Sequence, residues 1–155
     1  MELTPEYVTG FIDGEGSFLV SFSRRSKLSV GIEARTSFSV SQHRRNRLIL
    51  EALQHFFHCG GIRFDRHDQT YKYEVRSLSD LTQKIIPHFE QYSLKTSKAS
   101  DFEALKEICA LMRANHHRSS DGMRRIIERA YKMNNLGARR YQQEELLRMM
   151  QEMKV

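Results

Sequence analysis

Hydrophobic and polar positions alternate along this chain with two periods, one helical and one strand-like, in a regular order. Thr4-Pro5-Glu6 predicts a helix start: Thr4 can cap, Pro5 suits the first turn and Glu6 favours the positive end. The helix is expected over about 5–13, stopped by Gly14 and Gly16. Residues 17–23 then alternate, with Phe18, Val20 and Phe22 on one side and Ser17, Leu19, Ser21 and Ser23 on the other. A polar turn at 24–27 leads to a second strand over about 29–40. There Val30, Ile32, Ala34, Phe38 and Val40 lie opposite Glu33, Arg35, Ser37 and Ser39.

Residues 44–58 return to helical spacing, with Leu48, Ala52, Leu53 and Phe56 as the expected stripe and Cys59-Gly60-Gly61 as the stop. A second hairpin is predicted from Ile62–Arg66 and Tyr71–Ser77 around a turn at 67–69. In its return strand Tyr71, Tyr73 and Val75 alternate with Lys72, Glu74 and Arg76. A helix carrying Leu81, Ile85 and Ile86 is expected to begin near Ser79-Asp80 and stop before Pro87. Helices at about 97–114, 120–134 and 139–153 complete an αββαββα order with a helical last third. Helices packed on one face of four antiparallel strands make an α+β fold with one polar sheet face.

The first helix ends unusually. Residues 8–16 read VTGFIDGEG, in which Gly10 and Gly14 bare one helix face, so a second helix can approach almost to backbone contact. Asp13 and Glu15 place carboxylates at the foot of the same helix. An ordinary amphipathic helix with a glycine stop has the same local pattern, so the rest of the chain has to discriminate.

At 155 residues, with 39% hydrophobic and 28% charged, the chain suits one compact domain and not a disordered segment. The opening Met1-Glu2-Leu3-Thr4-Pro5 reads as the start of a soluble intracellular protein with no membrane partner and no secretion signal. Cys59 and Cys109 are too few for a disulfide framework and are expected to be buried thiols. Net charge is +6, unevenly spread. Residues 1–16 hold four acids and no Lys or Arg, whereas residues 17–76 hold eleven basic against five acidic residues. An acidic first element on a basic body suits a polyanion binder that needs a cation at one place.

The polar sheet face carries that charge. It offers Ser17, Leu19, Ser21, Ser23, Arg25, Lys27, Glu33, Arg35, Ser37, Ser39, Arg63, Lys72, Glu74 and Arg76. Arg and Lys suit guanine edges and phosphates, Glu accepts from cytosine, and Ser can do either. A two-stranded ribbon fits the DNA major groove. Eight strand residues cover roughly 26 Å, close to eight base steps, so two such faces span on the order of twenty base pairs.

VTGFIDGEG, followed by this element order, resembles the LAGLIDADG homing endonucleases. Gly10, Ile12, Asp13 and Gly16 match the name motif, Val8, Phe11 and Gly14 are similar replacements, and Glu15 stands at its second Asp. The resemblance covers about residues 4–115 and, more loosely, the C-terminal helices at about 116–155, as one endonuclease domain. It implies a curved four-stranded sheet forming a saddle that faces double-stranded DNA. One motif per chain implies a homodimer, with Val8, Gly10, Phe11 and Gly14 in the contact and two acids brought together. The implied activity is a Mg²⁺-dependent double-strand break in a long pseudo-palindromic site, in the service of intron or intein mobility and with no organic cofactor.

Glu15 is the implied metal ligand, with the Gly14 carbonyl beside it, because paired carboxylates near phosphates call for a hard cation. Gln42 and Lys95 complete the implied catalytic set, Lys95 stabilising charge on the phosphate. Asp13 is assigned a structural role. The family's second basic pocket residue aligns with Asn46, leaving Arg45, Arg47 or Lys95 alone to serve. Arg139 and Arg140, in a loop between helices, are implied phosphate contacts. The implied location is a bacterial or archaeal cytoplasm, or an organelle matrix or stroma. The rival function is a non-catalytic binder on the same scaffold, such as a maturase or DNA-binding regulator. His55, His58 and Cys59 lack a fourth ligand at zinc spacing, and Met149, Met150 and Met153 suit helix packing.

Overall fold

A computed structural model describes residues 1–133 and 139–153. Its strands β1 (Gly16–Arg24), β2 (Ile32–His43), β3 (Gly61–Asp65) and β4 (Thr70–Val75) form one antiparallel sheet in the order β1-β2-β4-β3. The fold is α+β. Helix α1 spans Pro5–Glu15 and α2 spans Arg47–Phe57, after a 3-10 turn at Arg44–Asn46. Helical turns α3 (Leu78–Asp80) and α4 (Ile86–Gln91) flank a π-turn at Leu81–Ile85; α5 (Lys98–Arg113), α6 (Ser120–Ala130) and α7 (Gln143–Glu152) follow. Among the described residues no helix is long and apolar enough to cross a membrane.

The residues fall into two compact units. The first comprises 1–19 and 37–99. Its core centres on Phe38, whose ring meets those of Phe18, Phe57, Tyr73 and Phe89 at centroid distances of 5.5–6.1 Å. Val8 and Ile12 of α1, Leu50 and Leu53 of α2, and Leu81 and Ile85 join it, all fully buried. Strands β2 and β4 pair with Phe38 opposite Val75 and Gln42 opposite Tyr71. The second unit comprises 20–36 and 100–155. In it Val20, Phe22, Ile32 and Ala34 are buried, as are Leu105 and Ile108 of α5, Ile126 and Ile127 of α6, and Leu146 of α7.

Strand β2 is shifted from the expected 29–40, α6 ends before the expected 134, α7 begins after the expected 139, and three further departures have a packing reason. Helix α1 runs through Gly14 to Glu15, and Gly16 is its C-cap, donating its N–H to the Ile12 carbonyl. A Cβ on Gly16 would lie 2.5 Å from Ile12 Cγ2, so a side chain there is excluded by packing. The buried stripe of α2 is Leu50, Leu53 and Phe57, while Leu48 is 67% exposed. Of the expected stripe, Ala52 and Leu53 are buried, while Leu50 and Phe57 take the places expected for Leu48 and Phe56. The helix expected to end before Pro87 continues to Gln91. A π-turn closes immediately before the proline, with the Ile86 N–H bonded to the Leu81 carbonyl, and this places Pro87 in the first turn of α4. First-turn N–H groups have no intrahelical acceptor, so the missing proton costs little there. Cys109 is buried and Cys59 half-buried, both as free thiols.

Beneath α1, His88 meets the rings of Phe56, Phe57, Phe89 and Tyr92. Its Nε2 lies 3.1 Å from the Thr9 hydroxyl, which donates to the Tyr92 carbonyl. Nε2 must therefore carry the proton in that contact. Burial lowers the His88 pKa to about 4, with Glu6 opposing weakly. The folded value lies below the unfolded one, so the unfolded chain takes up more protons between them. Stability is complete above about pH 6.5 and falls as the pH drops toward about 4. Between pH 7 and 5 the linkage limit is about 2 kcal/mol, which solvent screening of a half-buried ring reduces to about 1 kcal/mol. Thermal melts at pH 7 and pH 5 are expected to show a larger drop for the native chain than for His88→Gln; equal drops would exclude a neutral buried His88.

Candidate active site and nucleic-acid interface

The C-terminal turn of α1 gathers several of the residues singled out from sequence. Glu15 accepts a hydrogen bond from Gln42 Nε2 at 3.0 Å, and Gln42 Oε1 accepts from Asn46 Nδ2 at 3.1 Å. The carboxylate can only accept, so it fixes the Gln42 amide with its nitrogen inward, and Asn46 then meets the oxygen. Asn46, where the resemblance implied a basic pocket residue, is thus part of the array. Arg47 points elsewhere: its Nε donates to Glu51 at 2.6 Å and its Nη1 to the Tyr71 hydroxyl at 3.3 Å.

Asp13 faces the segment before α5. Its carboxylate accepts from the Lys95 N–H at 2.8 Å, the Thr96 N–H at 3.0 Å and the Thr96 hydroxyl at 2.6 Å. Its carbonyl accepts from Lys98 Nζ at 3.0 Å. Partial burial acts to raise the Asp13 pKa, but the Thr96 hydroxyl, the two N–H donors and the Lys98 charge outweigh it and hold the carboxyl below its usual value. Lys95, with an exposed side chain, is therefore held at its backbone by the same helix turn that carries Glu15. Sequence reasoning missed Thr96 and Lys98. The hydroxyl-and-lysine pattern Thr96-Ser97-Lys98 ahead of a helix was the available signal.

Among the described residues no cluster of three or more His, Cys, Asp or Glu can hold a metal. One chain instead supplies a Glu15 carboxylate at the negative end of α1, where the Gly14 carbonyl is one of the last four that the helix cannot satisfy itself. These are hard oxygen donors suited to Mg²⁺ or Ca²⁺, and too few to complete a six-ligand shell.

The outer face of α1 differs from expectation in one residue. Tyr7, Gly10, Phe11 and Gly14 follow i, i+3, i+4, i+7 spacing. Tyr7 is half-exposed and stacks on Phe11 at 6.2 Å. A Cβ on Gly10 or Gly14 would meet nothing within 4 Å. Val8, expected in the helix contact, is fully buried within its own chain and is not available to a partner; Tyr7 takes its place on the outward stripe.

On the polar sheet face Ser17, Leu19 and Ser21 are exposed and Ser23 half-exposed. Ser37 and Ser39 share that face by register yet are less than a tenth exposed, as short side chains on an inner strand. Direct base contact from those two serines is therefore not supported. Arg76 lies just past the end of β4 and is exposed, as are Lys27 and Arg63. The two acids are already engaged. Glu33 Oε2 lies 3.1 Å from Arg25 Nη1 and 3.3 Å from Arg35 Nη2, and Glu74 lies 3.2 Å from Lys72 Nζ. Arg139 also differs from expectation. Its guanidinium donates to the Val20 carbonyl at 3.0 Å and the Ala130 carbonyl at 2.8 Å, and stacks over Tyr131 at 4.3 Å. It ties backbone together inside the second unit, so the expected phosphate contact gives way to a structural one. Arg140 is exposed beside Tyr141, and the linker's residues 134–138 lie outside the described residues.

The LAGLIDADG endonuclease family profile matches residues 8–109, which contain Glu15, Gln42 and Lys95. The chain belongs to this family. A probable intron-encoded endonuclease of Neurospora crassa is 32% identical over 133 residues, covering 85% of this chain and 29% of that relative. The homing endonuclease I-TnaI matches in structure with a TM-score of 0.87 and 36% identity, over 99% of both chains. I-SmaMI, bound to its uncleaved DNA target in the presence of calcium ions, matches with a TM-score of 0.86 and 33% identity, over 97% of this chain and 50% of its own. The chain thus spans under a third of the Neurospora relative and half of I-SmaMI.

The Asp13 contacts carry a direct consequence. Asp13→Asn puts an amide donor against N–H and O–H donors, and is expected to lower stability by about 1–2 kcal/mol, the scale of a lost charged cap. Denaturant unfolding at pH 7 measures it; an unchanged midpoint would show that the Lys95–Thr96 segment is held by other contacts.

Proposed function

We propose that this chain is one subunit of a homodimeric, site-specific DNA endonuclease. It makes a double-strand break in a long, pseudo-palindromic target by Mg²⁺-dependent phosphodiester hydrolysis, in the service of intron or intein mobility. The observation that carries this reading is one helix turn that joins an unfilled glycine face to an oriented carboxylate: Gly10 and Gly14 on one side, Glu15 with Gln42 and Asn46 on another. A second copy on the glycine face brings two Glu15 carboxylates together, and their repulsion is relieved by divalent cations.

Glu15 and the Gly14 carbonyl would hold the ion. When bound, the ion supplies Lewis-acid charge for water attack on the phosphodiester. The chain's own groups do the rest. Gln42 keeps the carboxylate in one rotamer, Asn46 keeps the Gln42 amide in one orientation, and Lys95 offers a cation to developing charge on the phosphate. Exposed polar-face residues, Ser17, Leu19, Ser21, Lys27, Arg63 and Arg76 among them, and the half-exposed Ser23 would contact the duplex, with Arg140 as a phosphate contact. Residues 1–155 act as one endonuclease domain in this reading, inside a cell or organelle.

Glu15→Gln is expected to cut cleavage of a library-selected site by about 100-fold or more while DNA binding persists or tightens. Full activity in that variant would remove Glu15 from the site, and binding without cleavage by the native chain would point to a maturase or regulator instead.

The dimer makes a separate demand. Sedimentation of the native chain is expected near twice 18.3 kDa, whereas Gly10→Leu, whose Cβ meets nothing within 4 Å among the described residues, should fold and sediment as a monomer. A dimer that survives Gly10→Leu would overturn the glycine-face contact.

A further inference from the structure

On the polar face of the second unit a single carboxylate oxygen takes two guanidiniums. Glu33 Oε2 accepts from Arg25 Nη1 at 3.1 Å and Arg35 Nη2 at 3.3 Å. Glu33 is largely covered, at 24% exposure, while each arginine keeps about half of its side chain in solvent. The backbone of Arg25 is fixed as well: its N–H donates to the Gly31 carbonyl and its carbonyl accepts from Leu28 N–H, in a turn where Gly31 takes φ +76°. Burial acts to raise the Glu33 pKa, and the hydrogen bonds and charges of Arg25 and Arg35 outweigh it, so the group stays ionised at neutral pH.

From this geometry we infer that Glu33 is a specificity-determining positioning residue: it reads no base itself, and orients Arg25 and Arg35 as two fixed forks toward neighbouring guanines. The inference rests on the DNA-binding reading above. A guanidinium carries five N–H donors in a rigid plane, and one nitrogen given to Glu33 leaves other donors in the exposed part of the side chain. A fork held in one plane matches the paired O6 and N7 acceptors of guanine, whereas a freely rotating one finds phosphates equally well. Two arginines this close also repel. The shared carboxylate relieves that repulsion and reduces the local charge from +2 to +1, which lowers sequence-independent attraction. Oε2 is committed to the two arginines and Glu33 is largely covered, so direct readout by its remaining oxygen is the alternative that the base profile separates from this role.

The test is Glu33→Gln, equal in size, compared with the native chain in selection from a randomised palindromic DNA library and in binding titrations over salt. The expected result is loss of guanine preference, by about 10-fold or more, at neighbouring positions of each half-site. Those positions should be the ones lost in Arg25→Gln and Arg35→Gln. Binding to unrelated DNA should tighten several-fold at low salt, with the salt slope steeper by about one per released guanidinium. A merely structural carboxylate would shift the thermal midpoint and leave the base profile alone. Unchanged guanine preference, or loss of a single cytosine preference, overturns the inference while leaving the endonuclease reading intact. If Glu33→Gln does not fold, the arginine variants decide: their affected positions must be adjacent, and positions far apart overturn the inference. A native chain that selects no site at all overturns both readings.

Discussion

The Asp13 carboxylate sits where electrostatics disfavours it, in the last turn of α1 at the negative end of the helix dipole. Three donors from Lys95 and Thr96 offset that cost, and Lys98 takes the neighbouring carbonyl. The loop before α5 is thereby tied to the turn that ends α1. Helix geometry explains the division between the two acids. Two residues along a helix is a rotation of about 200°, so Asp13 and Glu15 leave the axis on nearly opposite sides. One acid reaches the Lys95 segment, and the other reaches Gln42 on β2. Neither can do the other's work without unwinding the turn.

The same helix separates an inner and an outer face through its glycines. Val8 and Ile12, four residues apart, fill the core, and Gly16 must lack a side chain because Ile12 already occupies that space. Gly10 and Gly14 have no such internal reason. Helix-interior glycine costs about 1 kcal/mol relative to alanine, and among the described residues nothing within 4 Å would meet an alanine methyl at either position. A stripe that carries two such glycines, beside the exposed Tyr7 stacked on the half-buried Phe11, is what the proposed contact with a second copy would explain.

How far the sequence could be read depended on whether a feature was local. Strand periodicity is local, so Phe18, Val20 and Phe22 were assigned to the core correctly, and the strand ends fell within a few residues. Helix phase needs a reference direction. Both Leu48 and Leu50 fit an amphipathic stripe in α2, and only packing on β3 and β4 chooses between them. The π-turn before Pro87 and the buried state of Val8 are decided in the same way. Side-chain pairing across a hairpin is further from view. Arg25 and Glu33 meet because of the turn at Gly31, and Asp13 meets Thr96 across more than eighty residues of chain. Arg139 read as a loop cation because nothing in its neighbours announces the Val20 and Ala130 carbonyls that it bonds.

The candidate centre is chemically incomplete in one chain, and that incompleteness constrains the proposed activity. One carboxylate and one helix-end carbonyl are too few ligands for a hard divalent cation, which takes at least six oxygens and prefers near-octahedral geometry as Mg²⁺. In the proposed dimer the missing ligands would come from a second Glu15, from water and from DNA phosphates. On the proposed assembly, affinity for the ion would rise when the glycine faces meet and a duplex lies across the sheet, because the second Glu15 and the phosphates would add oxygens that one chain lacks. A nuclease built as proposed would be weakly active off its target without a separate inhibitor. In that reading its specificity would rest on the fit of the polar face to DNA, where Glu33 and Glu74 offset the charge of Arg25, Arg35 and Lys72 and so lower sequence-independent attraction.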